Sequence, residues 1–273
     1  MLVYRAGDGP AITPVACWSD GTALWLTVSR HGAEIAALRG DPRCALWIAP
    51  PRHRPGDAGG RDDAAGDAGV AGVVVDGTAR VFDVSDPVRL ALHAPVIAAA
   101  LAALALTHRA ELAGHVRDLP RASGAWMAQH RALVRVRIDR ARSRMVPGQV
   151  TGVGPVLPTE LPAAVRRALT GIRQVTLATE RGDALVVQPA VWSAGFQLAV
   201  GTTVHPGADT PACIAIDHEP DDRQSEGARL MLRGTVDGGL RFHPDRATWW
   251  RGLASDSTTL RAPATTSGIV LPD

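Results

Sequence analysis

The sequence predicts a mainly β protein of the α+β class, built from two related domains. Short runs of alternating apolar residues, separated by Gly, Pro and Asp, predict β-strands along most of the 273-residue chain. A set of three motifs also occurs twice in the same order, which predicts an internal duplication. The paired segments are residues 16–21 and 190–195 (ACWSDG and AVWSAG), 42–48 and 211–216 (PRCALWI and PACIAI), and 73–81 and 229–236 (VVVDGTARV and RLMLRGTV).

The distance between the two copies favours two domains over a solenoid. Solenoid repeats recur every ~20–50 residues, whereas these copies lie much further apart. We therefore expect a first domain over residues 1–150 and a second over residues 151–273.

The first half is predicted to contain strands interrupted by two helices. Ser19, Asp20 and Gly21 separate two apolar runs and indicate a β-hairpin. The run from Gly40 to Pro42 ends a short amphipathic segment, as helix stop signals do. The predicted elements are the hairpin (11–18 and 23–29), a short helix (31–39), a strand (44–49), a Gly- and Pro-rich loop (50–69), a strand (72–84), the longest helical region (87–117) and a closing strand (133–138).

The second half is predicted to follow a linker and to be richer in strands. Its tail is polar, which indicates loose attachment to the domain. The predicted elements are the linker (146–158), a short helix (162–171), strands over 175–179, 185–191, 196–200, 213–216, 229–236 and 240–242, and the tail (255–273).

The composition limits the classes of function. The net charge of +2 comes from mixed signs and gives no argument for a nucleic-acid partner. The chain has no Lys, so a Schiff-base or P-loop lysine is excluded. Arg is used in place of Lys throughout the chain. This preference is typical of G+C-rich genomes, such as those of actinobacteria.

The same composition predicts where the protein works. Three cysteines, two of them in apolar runs, are typical of core residues in a reducing cytoplasm. The longest apolar stretch, residues 94–107, is too short to span a bilayer and contains Pro95. We therefore expect a soluble cytoplasmic protein with no membrane partner and no metal site.

Several segments together resemble the pyridoxamine 5′-phosphate oxidase-like split β-barrels, which bind flavins. Residues 175–189 (VTLATERGDALVVQP) resemble the opening hairpin of that family. Residues 24–30 (LWLTVSR), a short helix and residues 41–46 (DPRCAL) resemble its core segment. Residues 72–81 and 132–138 are similar to its next strand and its closing strand.

The resemblance implies two tandem split β-barrels that pack as an internal pseudo-dimer, with FMN at their interface. Some actinobacterial members of the family use the deazaflavin F420 instead. The family's phosphate contacts imply a cofactor-binding role for Thr27, Ser29 and Arg30. The family's helix lysine is replaced by Glu34, which would repel a phosphate by ~1 kcal/mol or more if partly shielded from water. In the second copy, residues 200–205 (VGTTVH) supply hydroxyls but no Arg.

The leading hypothesis is an FMN-dependent oxidoreductase that acts on an unidentified small molecule. One alternative is an F420-dependent reductase. Another is a non-catalytic pair of barrels that has lost flavin binding, with no cofactor, and the replacement at Glu34 favours it. The duplication is compatible with a monomeric pseudo-dimer or with a homodimer. No catalytic residue is identified, because in such an enzyme the cofactor carries the redox chemistry.

Overall fold

The computed structural model describes residues 1–49, 71–109, 131–147, 153–201, 207, 209–218, 228–251 and 254–261. Across these ranges the chain is mainly β and forms two antiparallel sheets of seven strands each. The predicted fold class is confirmed at this level. The predicted loop over residues 50–69 and the helical residues 110–117 lie outside the described part of the chain.

The first half supplies the first sheet and two helices. Its elements are β1 (Leu2–Ala6), β2 (Gly9–Thr13), β3 (Cys17–Ser19), β4 (Ala23–Ser29), α1 (Ala33–Gly40), β5 (Arg43–Ile48), β6 (Ala71–Phe82), α2 (Pro87–Thr107) and β7 (Arg131–Met145).

The second half supplies the second sheet. Its elements are α3 (Ala163–Leu169), β8 (Gln174–Arg181), β9 (Ala184–Ser193), β10 (Gln197–Val200), β11 (Thr210–His218), β12 (Ala228–Val236), β13 (Phe242–Arg251) and β14 (Ala254–Thr259).

The two sheets share a strand order. The first sheet runs β2-β1-β5-β6-β7-β4-β3, and the second runs β10-β9-β8-β11-β12-β13-β14. In both, a hairpin is followed by three strands added one beside the other, so β2-β1-β5-β6-β7 corresponds to β9-β8-β11-β12-β13. The sheets differ beyond this block, because β4 pairs with β7 whereas β14 pairs with β13.

The repeated Gly-Thr motif has the same structural role in both sheets. The register shifts between Asp76 and Gly77 where β6 meets β7, and between Arg233 and Gly234 where β12 meets β13. A Cβ atom at Gly77 would lie 2.4 Å from the Arg137 carbonyl oxygen, and one at Gly234 would lie 1.9 Å from the His243 carbonyl oxygen. Both glycines therefore allow a β-bulge in which the neighbouring backbone comes close.

The hydrophobic core of the first half also contains side chains from the second half, and this shared core joins the two halves. Side chains alternate along β11, so that Ala212, Ile214 and Ile216 join the core of the second half, while Cys213 and Ala215 join the core of the first. Ala178, Val187 and Met231 of the second half also belong to the first core. The second sheet is thus buried on both faces, and the halves cannot separate without exposing apolar surface.

Polar contacts also cross between the halves. Arg5 donates to Glu180 Oε1 at 3.1 Å and to Asp41 Oδ2 at 2.9 Å. Arg233 forms an ion pair with Asp8. Trp249 packs on the second core and the adjacent Trp250 on the first, so this pair also joins the two halves.

Helix α2 lies on the face of the first sheet that points away from the second half. Asp86 caps it by accepting a hydrogen bond from the Arg89 amide at 3.0 Å, and Pro87 occupies its first turn. Ala100 and Leu104 of α2 pack on Trp25, Phe82 and Leu133. At 21 residues with a mean hydropathy of 2.0, α2 is long and apolar enough to cross a membrane by length and composition alone, a test that core helices of soluble proteins also pass. A membrane span was not expected because the apolar stretch over residues 94–107 is too short, but α2 begins seven residues earlier, at Pro87.

The predicted loose attachment of the tail is wrong for its first part. The polar segment ASDSTT forms β14 on the edge of the second sheet, paired with β13. Leu260, directly after it, is buried in the second core. Backbone pairing and one apolar anchor hold a segment whose side chains give little strand signal.

Candidate functional site

The predicted phosphate-binding residues lie where β4 ends. Thr27 and Ser29 alternate with the buried Leu26 and Val28, so their side chains lie on the α2 side of the first sheet. Opposite them is Arg131, the first residue of β7, which pairs with Ser29. The strand pairing also brings Arg131 to Thr27, which is 104 residues away in the chain.

Arg131 is a cation that the sequence analysis did not identify. Its Nη2 donates to the Thr27 carbonyl oxygen at 2.8 Å and to Thr27 Oγ1 at 3.0 Å. Burial lowers the pKa of Arg131, and the nearby Glu34 offsets part of that shift. Among the described residues, the side-chain hydrogen bonds of Arg131 go to Thr27, and a guanidinium has a planar fork of donors that matches phosphate oxygens.

Glu34 occupies the start of α1 and is buried, with 8 % of its surface exposed. Its carboxylate folds back over Gly32, where a Cβ atom would lie 2.3 Å from Glu34 Oε1. Burial raises the pKa of Glu34, although its own backbone amide and the charge of Arg131 oppose this. Glu34 and Arg131 do not reach ion-pair distance, so their attraction acts through space rather than through a hydrogen bond.

Arg30 does not join Thr27 and Ser29. Its charge acts instead on Asp83, which follows β6 and is buried. Asp83 accepts hydrogen bonds from Arg39 Nη2 at 2.5 Å and from Ser85 Oγ at 2.5 Å. Burial alone would raise the pKa of Asp83, but the Ser85 hydrogen bonds and the charges of Arg39 and Arg30 hold it below its ordinary value.

A groove lies beside this second cluster. Its volume is about 330 Å³, and Leu38, Pro42, Ala79 and Val81 are among its apolar lining residues. Its lining combines these apolar side chains with charged side chains of both signs, which suits a ligand that has polar and apolar parts. The charged residues are Arg39, Arg80, Asp83, Asp86 and Arg89.

The predicted three-residue site is therefore divided between two neighbouring clusters. Thr27 and Ser29 lie with Arg131 and Glu34, and Arg30 lies with Asp83 and Arg39. Arg131 could be found only by predicting that β7 pairs with β4, because nothing in its local sequence distinguishes it from Arg135 or Arg137. Elsewhere in the described ranges, no group of three or more His, Cys, Asp or Glu residues is arranged to hold a metal ion.

Comparison with known proteins gives a structural likeness at low sequence identity. No protein-family model matches the chain, and no curated protein matches it. The crystal structure of the conserved hypothetical protein Rv2991 from Mycobacterium tuberculosis is similar over 55% of this chain and 82% of its own, with 19% sequence identity and a TM-score of 0.33.

The resemblance implies FMN between the two halves, but Thr27, Ser29 and Arg131 lie on the face of the first sheet that points away from the second half, so they do not face the contact between the halves. The Thr27 cluster nevertheless has one feature that suits a phosphate. Arg131 supplies a half-buried cation near the position where Glu34 replaces the family's lysine. Burial raises the pKa of Glu34, which weakens the opposition of its charge to an anion. The residues present would hold the group through Arg131, Ser29 and Thr27, with Arg30 adding positive charge nearby.

Proposed function

We propose that this chain is a flavin-dependent oxidoreductase made of two fused split β-barrels related to the pyridoxamine 5′-phosphate oxidase-like family. The observation that carries the proposal is Arg131, a half-buried cation that is placed beside Thr27 and Ser29 by the pairing of β7 with β4. The strand order common to both sheets and the core shared by the halves support an internal pseudo-dimer. When bound, the flavin would supply hydride transfer between a nicotinamide or deazaflavin donor and a small organic acceptor.

In this proposal the protein's own residues bind and orient the cofactor. Arg131 offers a planar fork of donors to phosphate oxygens, and the Ser29 hydroxyl lies on the paired strand beside it. Partial burial of Arg131 strengthens its attraction for an anion because less water screens its charge. Burial raises the pKa of Glu34, so its charge opposes an anion less than that of a solvent-exposed carboxylate.

The proposal is tested by the absorption spectrum of the purified protein and by titration with FMN and F420, followed by fluorescence quenching. We expect Arg131→Gln to weaken flavin binding by about 10- to 100-fold, the usual worth of a charge-assisted hydrogen-bonded contact. Arg137→Gln is the matched control, because Arg137 is on the same strand but is exposed and paired with Asp139 at 3.0 Å. A protein that takes up neither cofactor would contradict the proposal.

A second candidate is a barrel pair that binds no flavin, and the contact between Arg131 and Thr27 favours it. In that case Arg131 serves only to tie β7 to β4, and Glu34 is its partial counter-charge. Glu34→Lys separates the two candidates. Added positive charge strengthens flavin binding if the site is functional, whereas a chain without a site shows no binding before or after the change.

A further inference from the structure

Helix α2 presents an apolar face to solvent that the proposed flavin chemistry does not use. Five large side chains on it are exposed: Val88, Leu92, Val96, Leu101 and Leu106. Six exposed alanines lie between them. Over residues 90–108 the sequence contains no Asp, Glu, Lys or Arg. We call this surface the α2 face.

The α2 face is at the upper end of the size range for an exposed apolar patch. A helix of 21 residues is about 31 Å long and ~11 Å across, so half of its accessible surface is on the order of 600 Å². The largest apolar patch of a typical monomer is ~300–600 Å². A standard interface buries ~800 Å² on each partner, and the α2 face supplies most of that area.

We propose that the α2 face is the contact surface between two copies of this chain, which pair through a two-fold axis that crosses α2 near its midpoint. A uniformly apolar face is complementary to itself, as a two-fold interface requires. The small alanines allow two helices to approach to ~8–10 Å, and the larger Val and Leu side chains fill the space beside them. The two helices are then antiparallel, which places the positive end of one dipole beside the negative end of the other.

The residues around α2 favour a second copy over a lipid surface. Helices that lie in a membrane interface carry several Lys or Arg residues on their polar side. The other side of α2 is instead packed on the protein, through Ala100 and Leu104. Its start is flanked by the carboxylates of Asp83 and Asp86, which anionic lipid headgroups would repel, and Arg89 is already paired with Asp86 at 3.1 Å.

The test is sedimentation velocity of the full chain over a range of concentrations. We expect a dimer of the 28.6-kDa chain. In the double variant Val88→Glu/Val96→Glu, four carboxylates would be buried without partners in the apolar contact, so we expect the dimer dissociation constant to rise at least ~100-fold. The matched control is Val153→Glu/Val156→Glu, which changes two valines that are 78% and 84% exposed and lie far from α2 in the chain. This control should remain a dimer.

Cysteine cross-linking tests the orientation of the two helices. In a Cys17→Ser background, Ala98→Cys near the middle of α2 should form a disulfide-linked dimer under mild oxidation. Ala91→Cys should not, because the two introduced thiols would lie about 20 Å apart in an antiparallel pair centred on residue 98.

Three results would overturn the proposal. The first is a wild-type chain that is monomeric at every concentration. This includes the case in which the monomer binds vesicles of phosphatidylcholine and phosphatidylglycerol in a flotation assay. The second is a glutamate variant on α2 that stays dimeric, and the third is equal dissociation of the control. The substituted side chains of α2 and of the control are exposed and that of Cys17 is half-buried, so circular dichroism should show an unchanged fold in each variant.

Discussion

Replacing Gly234 with Ala should destabilise the protein strongly, although it adds only one methyl group. The new Cβ atom would lie 1.9 Å from the His243 carbonyl oxygen, 2.8 Å from its carbon and 2.9 Å from Pro244 Cα. An ordinary carbon–oxygen contact is about 3.3 Å or longer, so β13 must move away by roughly 1.4 Å. These atoms belong to the backbone of a strand held between β12 and β14, and no side-chain rotation can relieve the clash.

The free-energy cost follows from the overpacking and from the weakened strand pairing. Overpacking costs ~1–3 kcal/mol, and one weakened ladder hydrogen bond adds ~0.5–1.5 kcal/mol. We therefore expect Gly234→Ala to lower the free energy of unfolding by about 3 kcal/mol. With an unfolding entropy of ~2.1 cal/mol/K per residue, a cooperative unit of 273 residues would lose about 5 °C in Tm.

Differential scanning calorimetry measures both the size of the shift and the number of transitions. The shared core predicts a single transition for the whole chain. If the second half unfolded alone, its smaller entropy would produce a shift of roughly 12 °C and a separate peak. Gly238→Ala is the matched control, because a Cβ there meets no atom within 4 Å. A Gly234→Ala variant as stable as this control would refute the reasoning.

Three further predictions concern titrating groups. Asp20 accepts a hydrogen bond from the Trp25 indole at 2.8 Å, and this bond is the main cause that holds the pKa of Asp20 well below its usual range. Asp20→Asn removes this acceptor, so we expect the free energy of unfolding in urea to fall by about 1 kcal/mol at neutral pH. This difference should disappear as the pH falls below the ordinary Asp pKa. Glu34→Gln should stabilise the protein at neutral and alkaline pH, because burial raises the pKa of Glu34 and its ionisation costs stability as the pH rises. A difference in Tm between this variant and the wild type that is the same at pH 5 and at pH 9 would contradict this. Burial raises the pKa of both Cys44 and Cys213 to about 12, so Ellman's reagent should leave these thiols unmodified in the native protein and modify them in guanidinium chloride.

The elements that the sequence predicted correctly are those encoded by local signals. The turn at Asp20 and Gly21 has its own hydrogen bonds, in which Asp20 Oδ1 accepts from the amides of Thr22 and Ala23, both at 2.8 Å. The short helix α1 ends where Gly40 and Pro42 indicated. The strand β14 was missed because its polar side chains carry no alternation and its stability comes from pairing with β13.

The candidate site was harder to predict because it depends on long-range pairing. Thr27 and Ser29 are adjacent on one face for the local reason that strand side chains alternate. Arg131 reaches them only because β7 closes on β4 after α2 and residues 110–130. Arg30 follows Ser29 directly, yet its charge acts on Asp83, because β4 ends at Ser29 and the chain turns at Arg30.

The first sheet uses its two faces for different purposes, and this links the two proposals. One face carries Leu24, Leu26 and Val28 and packs against the second half. The other carries Trp25, Thr27 and Ser29, and α2 covers part of it. A dimer formed through α2 would therefore leave the contact between the halves intact and bring the second copy to the side of the sheet where Arg131 lies. Flavin binding and dimer formation are then coupled if the second copy closes the site, and the Val88→Glu/Val96→Glu variant should have a changed flavin affinity. An unchanged flavin affinity in this variant would mean that one chain holds the cofactor alone.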